Sequence, residues 1–257
     1  MSDRTAALRV EGLGVRYGAL VALEGVSWEV HGGEILGIIG PNGAGKSSCY
    51  DAATNMVRRS GRVWLAGHDV TEVPPHGLAP LGLRRAFQQN AFFADLTVLE
   101  NMTAVLALDH GTGLAASILA PWREAARRRA MEAEAAAILE RFGIPRAMHG
   151  RRPPNLPYGT QRMLSIALAW GMGAKVLMLD EPAAGLGGED MLRLRDLLAS
   201  LKASGAALVV IEHHMDLIMA IADRIVVLDQ GRMLATGTPR EVQADPRVLE
   251  AYLGRAA

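Results

Sequence analysis

Apolar and polar residues alternate along Leu8-Arg9-Val10-Glu11-Gly12-Leu13 and along Val26-Ser27-Trp28-Glu29-Val30. A period of two buries one set of side chains and wets the other, so both stretches predict antiparallel strands with one solvated face. Ile35-Leu36-Gly37-Ile38-Ile39 and Val176-Leu177-Met178-Leu179 are almost wholly apolar, as in strands buried on both faces. Ala207 to Ile211 and Ile225 to Leu228 continue that series, and Val63-Trp64-Leu65 reads as a further short strand. Val73 to Gly82 holds three prolines and two glycines, which predicts a loop.

The texture turns helical from Thr97. Thr97-Val98-Leu99-Glu100 has the form of a capping box. Trp122 to Phe142 is rich in Ala, Arg and Glu, without Pro or Gly, and stops at Gly143 and Pro145. Pro153-Pro154-Asn155-Leu156-Pro157 predicts a rigid connector into a helix from Thr160 to about Trp170. Further helices are expected over about Glu189 to Ala203 and after His214. Strands alternating with helices predict an α/β domain with a largely parallel sheet, the helical block inserted between its halves.

Composition narrows the class. The 257 residues suffice for one large domain. Lys plus Arg number 27 and Asp plus Glu 27, so no global basic field argues for nucleic acid. Cys49 is the sole cysteine, which excludes an intrachain disulfide and a Cys-based metal site. Its position, three residues after Lys46, leaves two readings: a small packing residue, or a thiol shielded by bound nucleotide. Met1-Ser2-Asp3-Arg4 is not followed by an apolar leader, and no apolar run suffices for a bilayer span. The expected location is therefore cytosolic, or peripheral through a partner.

The chemistry begins at Gly40-Pro41-Asn42-Gly43-Ala44-Gly45-Lys46-Ser47-Ser48, which fits G-x-x-x-x-G-K-[ST] between an apolar strand and a helix. Glycines let successive N–H groups turn inward onto phosphate oxygens, and the helix adds its positive N-terminal end. Lys46 supplies a cation for the β/γ-phosphates, and the Ser47 hydroxyl is placed to ligate Mg²⁺. The strand Val176 to Leu179 delivers Asp180 and Glu181 at its C-terminal end, where parallel sheets bind ligands. Asp180 suits Mg²⁺, and Glu181 suits a general base on the attacking water.

With these residues the chain resembles the ATP-binding subunits of ABC transporters over about residues 7 to 254, and more narrowly those of branched-chain amino acid importers. The narrow likeness lies in Leu156-Pro157-Tyr158-Gly159, Asp180-Glu181-Pro182-Ala183-Ala184-Gly185-Leu186, Ile211-Glu212-His213, Ala235-Thr236-Gly237-Thr238-Pro239 and Ala251-Tyr252-Leu253-Gly254. The resemblance implies an ABC-type P-loop NTPase: a RecA-like core over about 1–90 and 173–257, an antiparallel β subdomain and an inserted helical subdomain over about 91–172. It implies ATP and Mg²⁺ as ligands, with Asn42, Gly43, Ala44, Gly45, Lys46, Ser47 and Ser48 cradling phosphate. Ser47, Gln88 and Asp180 would hold the metal. Tyr17 matches the aromatic residue that stacks on adenine; a plain strand-surface tyrosine is the other reading. Gln88 matches a glutamine touching Mg²⁺ and water, with Gln89 as its rival in register. His213 matches the switch histidine on the γ-phosphate, with His214 beside it as its rival.

Pro157, Tyr158, Gly159, Thr160 and Gln161 match the signature segment that completes the site of the opposite subunit. Two positions depart from the broad pattern. Pro157 replaces a serine and removes a hydroxyl, and Gly187 stands where Asp is common. Both departures bear on the partner's site, and that at Pro157 fits an asymmetric pair. The implied partners are a second ABC ATPase subunit, transmembrane permease subunits and, indirectly, a solute-binding protein, without nucleic acid. The implied location is the cytoplasmic face of the membrane. A lipopolysaccharide-type export ATPase, a weakly hydrolytic member of an asymmetric pair and a non-transport ABC protein are the competing readings.

Overall fold

The computed structural model describes residues 5–87, 91–109 and 121–253. These divide into two compact units, one of residues 1–88, 174–185 and 194–257 and the other of residues 89–173 and 186–193.

The first unit carries two sheets. β1 (Leu8–Tyr17) and β2 (Leu20–Val30) pair antiparallel, and β4 (Ser60–Leu65) and β5 (His68–Asp69) extend that sheet in the order β2-β1-β4-β5. Its alternation is as the sequence expects: Leu8, Val10, Val26, Val30 and Val63 are buried, while Arg9, Ser27 and Arg62 are exposed. The second sheet runs β10-β9-β3-β8-β7-β6, from β3 (Ile35–Ile39), β6 (Leu83–Ala86), β7 (Val176–Asp180), β8 (Ala207–Ile211), β9 (Arg224–Asp229) and β10 (Arg232–Gly237). Neighbours from β9 to β6 pair parallel, and β10 returns antiparallel on the edge. Every residue of β3 and β8 is buried, which is why their patterns show no alternation.

Helix α1 (Lys46–Ala53) contacts strands of both sheets and belongs to their shared core. Its Tyr50 hydroxyl lies 2.5 Å from the Ala86 carbonyl oxygen and 3.0 Å from that of Met178.

The stretch Val73 to Gly82 is not the expected loop, because α2 spans Pro75–Leu81. Its prolines are placed where a helix tolerates them: Pro74 is the N-cap, and Pro75 takes the first position, whose N–H would have no intrahelical partner. Pro80 falls in the last turn, before the left-handed C-cap Gly82.

The second unit is helical, with α3 (Val98–Asp109), α4 (Pro121–Arg141) and α5 (Tyr158–Trp170). The capping box opens α3 as expected: Thr97 N–H donates to Glu100 Oε2 at 2.8 Å, and Glu100 N–H to Thr97 Oγ1 at 3.2 Å. His149 is a buried core histidine with Nε2 3.0 Å from the Ile144 carbonyl oxygen. Helix α6 (Gly188–Ala203) begins in this unit and continues in the first. The first unit is completed by α7 (Met215–Ile221), α8 (Pro239–Ala244) and α9 (Pro246–Leu253).

Candidate nucleotide site

β3 ends at Ile39, and the loop from Gly40 to Gly45 feeds α1. Gly45 is the N-cap in a left-handed conformation, φ 100°, and a Cβ there would lie 2.6 Å from the Ala22 carbonyl oxygen. Only glycine fits that turn against β2. The N-cap glycine has no side chain to cap α1, so the helix N-terminus at the end of the loop suits an anion.

Lys46 is nearly buried, and its Nζ donates to the Gly40 carbonyl at 2.7 Å and the Pro41 carbonyl at 3.1 Å. Burial lowers its pKa from the ordinary lysine value, and the negative fields of Glu181 and then Asp180 oppose that shift. The ammonium is thus held by carbonyls of its own loop, within the field of the carboxylates of Asp180 and Glu181. Asn42, Gly43 and Ser47 are exposed along the same loop.

The neighbouring strands supply the other groups. β7 and β8 pair in parallel with Asp180 opposite Ile211, so Glu181 and Glu212 leave the sheet side by side. Glu181 has φ 47°, a left-handed conformation that costs a non-glycine residue of order 1–3 kcal/mol. Its N–H donates to the Ile211 carbonyl at 2.8 Å. His213 Nδ1 stands 3.5 Å from Glu181 Oε1, whereas His214 Nδ1 lies 3.1 Å from Glu212 Oε2. His213 thus reaches both Glu181 and, at 3.8 Å, the buried Glu212, whereas His214 pairs with Glu212.

Tyr17 ends β1 and is half exposed. On α9, the Tyr252 hydroxyl oxygen accepts a bond from the Gly40 N–H, and burial pushes its pKa up to about 12. Cys49 is wholly buried and accepts from Trp28 Nε1 at 3.2 Å, so it is a packing residue. Gln88, Gln89 and Gly254 lie outside the described residues.

The second unit carries the other predicted segment. Helix α5 starts two residues earlier than the sequence expects, at Tyr158, with Pro157 as an N-cap that makes no side-chain bond. Pro157 and Tyr158 are exposed and Gly159 is buried. Gln161 N–H donates to the Pro157 carbonyl at 3.0 Å, and Gln161 Nε2 to the Leu156 carbonyl at 2.9 Å. A Cβ at Gly159 would fall 2.2 Å from Asp190 Oδ2, so the Asp190 carboxylate is packed against the first turn of α5.

Within the first unit, the structure brings Lys46, Asp180, Glu181 and His213 to the C-terminal edge of the parallel sheet. Two residues without a role in the sequence reading are prominent. Glu212 was visible as the middle residue of Ile211-Glu212-His213, without a task of its own, and Asp190 gave no signal.

The model for the ABC transporter family matches residues 23–184, and that for the branched-chain amino acid ATP-binding cassette transporter matches residues 232–257. The high-affinity branched-chain amino acid transport ATP-binding protein LivG of Salmonella typhimurium is 40% identical over 252 residues, covering 97% of this chain and 98% of the relative. The lipopolysaccharide export system ATP-binding protein LptB of Acidithiobacillus ferridurans is 29% identical over 248 residues, covering 96% of each. Among solved structures, an ATP-binding cassette of an ABC transporter in its ADP conformation superposes with a TM-score of 0.81 at 29% identity, covering 97% of this chain and 99% of that one.

Proposed function

The chain belongs to the ABC transporter family as an ATP-binding, ATP-hydrolysing subunit, and from that premise we propose that it powers an importer of branched-chain amino acids. The observation that carries the hydrolytic reading is the meeting of Lys46, Asp180, Glu181 and His213 at one sheet edge. The cargo reading rests on the near full-length likeness to LivG, together with the match over residues 232–257. The weaker likeness to the lipopolysaccharide export protein ranks that reading second.

In this mechanism the loop from Gly40 to Ser48 grips the β- and γ-phosphates through backbone N–H groups and Lys46. The adenine rests on Tyr17. The site also fits Mg²⁺: Ser47 offers a hydroxyl beside the loop, and Asp180 is close enough for its charge to act on Lys46. Ser47, Asp180 and Gln88 would hold the ion, which when bound neutralises charge on the phosphates. Glu181 takes the proton of the attacking water, and His213 donates to the γ-phosphate as charge builds on it.

Pro157, Tyr158, Gly159, Thr160 and Gln161 complete the site of a second cassette. The two cassettes close on ATP and part after hydrolysis, driving permease subunits in the membrane. No helix among the described residues is long and apolar enough to cross a membrane, so docking on a permease supplies the membrane location.

The test is ATPase activity of the purified chain, wild type against Glu181→Gln, alone and co-purified with its membrane partners. Activity that requires Glu181 and rises with partners is expected. ATP binding without Glu181-dependent turnover in either setting overturns the motor reading. Leucine uptake by cells deleted for this chain tests the cargo, and unchanged uptake with defective lipopolysaccharide export selects the second reading.

A further inference from the structure

Glu212 is completely buried, yet it carries a carboxylate, the costliest kind of side chain to bury without partners. Its partners are unusually placed. Oε1 accepts the Ala183 N–H at 2.7 Å. Oε2 accepts the His213 N–H at 3.1 Å and the His214 N–H at 3.3 Å, and His214 Nδ1 stands 3.1 Å away. One oxygen thus holds the turn that follows Glu181, and the other holds the turn that carries His213. The turn after β7 needs such support, since Glu181 sits at φ 47°. Conformations of this kind persist where the surroundings over-determine them. Ile211 fixes the backbone at Glu181 itself, and Glu212 fixes it two residues later.

A rival use of the same atoms is a metal site, because Glu212, His213 and His214 bring one ligand atom each within 4.8 Å of one another. The geometry is against it. Oε2 already accepts from two backbone N–H groups, and Oε1 is engaged by the Ala183 N–H.

We infer that Glu212 is a positioning residue that ties the Glu181 turn to the His213 turn, so that base and γ-phosphate donor keep one relative geometry. The inference rests on the hydrolytic reading above and adds to it a residue that acts through the turns it holds. A carboxylate suits the task because both of its oxygens only accept. An amide in its place must turn its NH₂ toward Ala183 N–H or toward the His213 and His214 N–H groups, setting donor against donor.

The experiment compares wild type and Glu212→Gln as full chains in ATP affinity, kcat and melting temperature. It also measures hydrogen exchange at the Ala183 amide of the unmodified protein. A misplacement near 1 Å costs on the order of 100-fold in turnover. The expected result is therefore kcat reduced about 10- to 100-fold, with ATP affinity nearly unchanged, a melting temperature lowered by several degrees for the buried donor clash and a slowly exchanging Ala183 amide. Unaltered kcat overturns the inference. So does a joint fall of affinity, kcat and melting temperature, which marks a structural role only. Should the variant not fold, the Ala183 amide decides: exchange as fast as that of exposed Gly187 overturns the tie. Absence of Glu181-dependent hydrolysis in the wild type defeats the functional reading instead, and leaves the exchange result to judge the tie alone.

Discussion

His213 Nδ1 faces Glu181 Oε1 at 3.5 Å across the ends of two parallel strands that are direct neighbours in the sheet. Because the pair hangs on adjacent β7 and β8, its spacing is set by the strand ladder rather than by a long loop. Groups that act together lose their effect together, so their substitutions are not additive. His213→Ala is expected to lower kcat on the order of 100-fold while leaving ATP affinity close to wild type. The double substitution with Glu181→Gln should turn over no more slowly than Glu181→Gln alone. Single-turnover hydrolysis of bound ATP measures both, and a further large loss in the double variant refutes shared action.

Gly159 and Asp190 give a second, steric prediction. A Cβ on Gly159 would stand 2.2 Å from Asp190 Oδ2 and 2.3 Å from its Cγ, well inside contact distance. Gly159→Ala must push either the start of α5 or the Asp190 side chain aside, with an overpacking cost of about 1–3 kcal/mol. Nucleotide binding at the chain's own loop should survive, while turnover of the assembled pair falls. Adding Asp190→Ala should restore part of it by removing the obstructing carboxylate. If the double variant is no better than Gly159→Ala alone, the clash is not the cause.

Acid sensitivity should be felt at the capping box of α3. The Thr97 backbone N–H, then the Thr97 hydroxyl, hold the Glu100 carboxyl below its ordinary value of 4.5. A depressed carboxyl contributes stability above the unfolded value, and that contribution is lost as pH falls through the folded one. Glu100→Gln should therefore melt earlier than wild type at pH 7, and the gap should narrow below pH 4. A gap that stays constant down to acid pH would remove the cap from this account.

The sequence exposed the parts of this molecule whose chemistry forces a residue type. The turn at Gly45 admits no Cβ, and the apolar runs of β3 and β8 admit no polar residue. The loop and the strand ends at Asp180 and Glu181 could accordingly be read from residue order alone. Elements whose residues serve two ends were hidden. Arg84 and Arg85 disguise β6, yet the Arg85 guanidinium lies over the rings of Tyr50 and Phe87 at 4.5 and 4.6 Å and pairs with Asp51 at 3.0 Å. The edge strand β10 is largely wet and shows no hydrophobic period. Prolines masked α2. Glu212 escaped because its partners are backbone N–H groups on turns brought together only by the sheet.

Cys49 offers a pH test of the shared core. The thiol is fully buried on α1, and burial pushes its pKa from 9.0 up to about 11, with the bond from Trp28 pulling the other way. A group whose folded value is raised gives stability that is intact below its unfolded value and lost as pH climbs through its folded value. Between pH 9 and 11 the unfolded thiol ionises while the folded one does not, which costs the native state on the order of 2 kcal/mol. Cys49→Ala lacks that titration. Its urea midpoint should lie below that of wild type at pH 8, where a cavity and the Trp28 bond are lost, and the difference should shrink toward pH 10.5. Thiol reagents should label native Cys49 only after unfolding. Rapid labelling at pH 8 in the native protein, or a midpoint difference independent of pH, would place the thiol outside the sealed core described above.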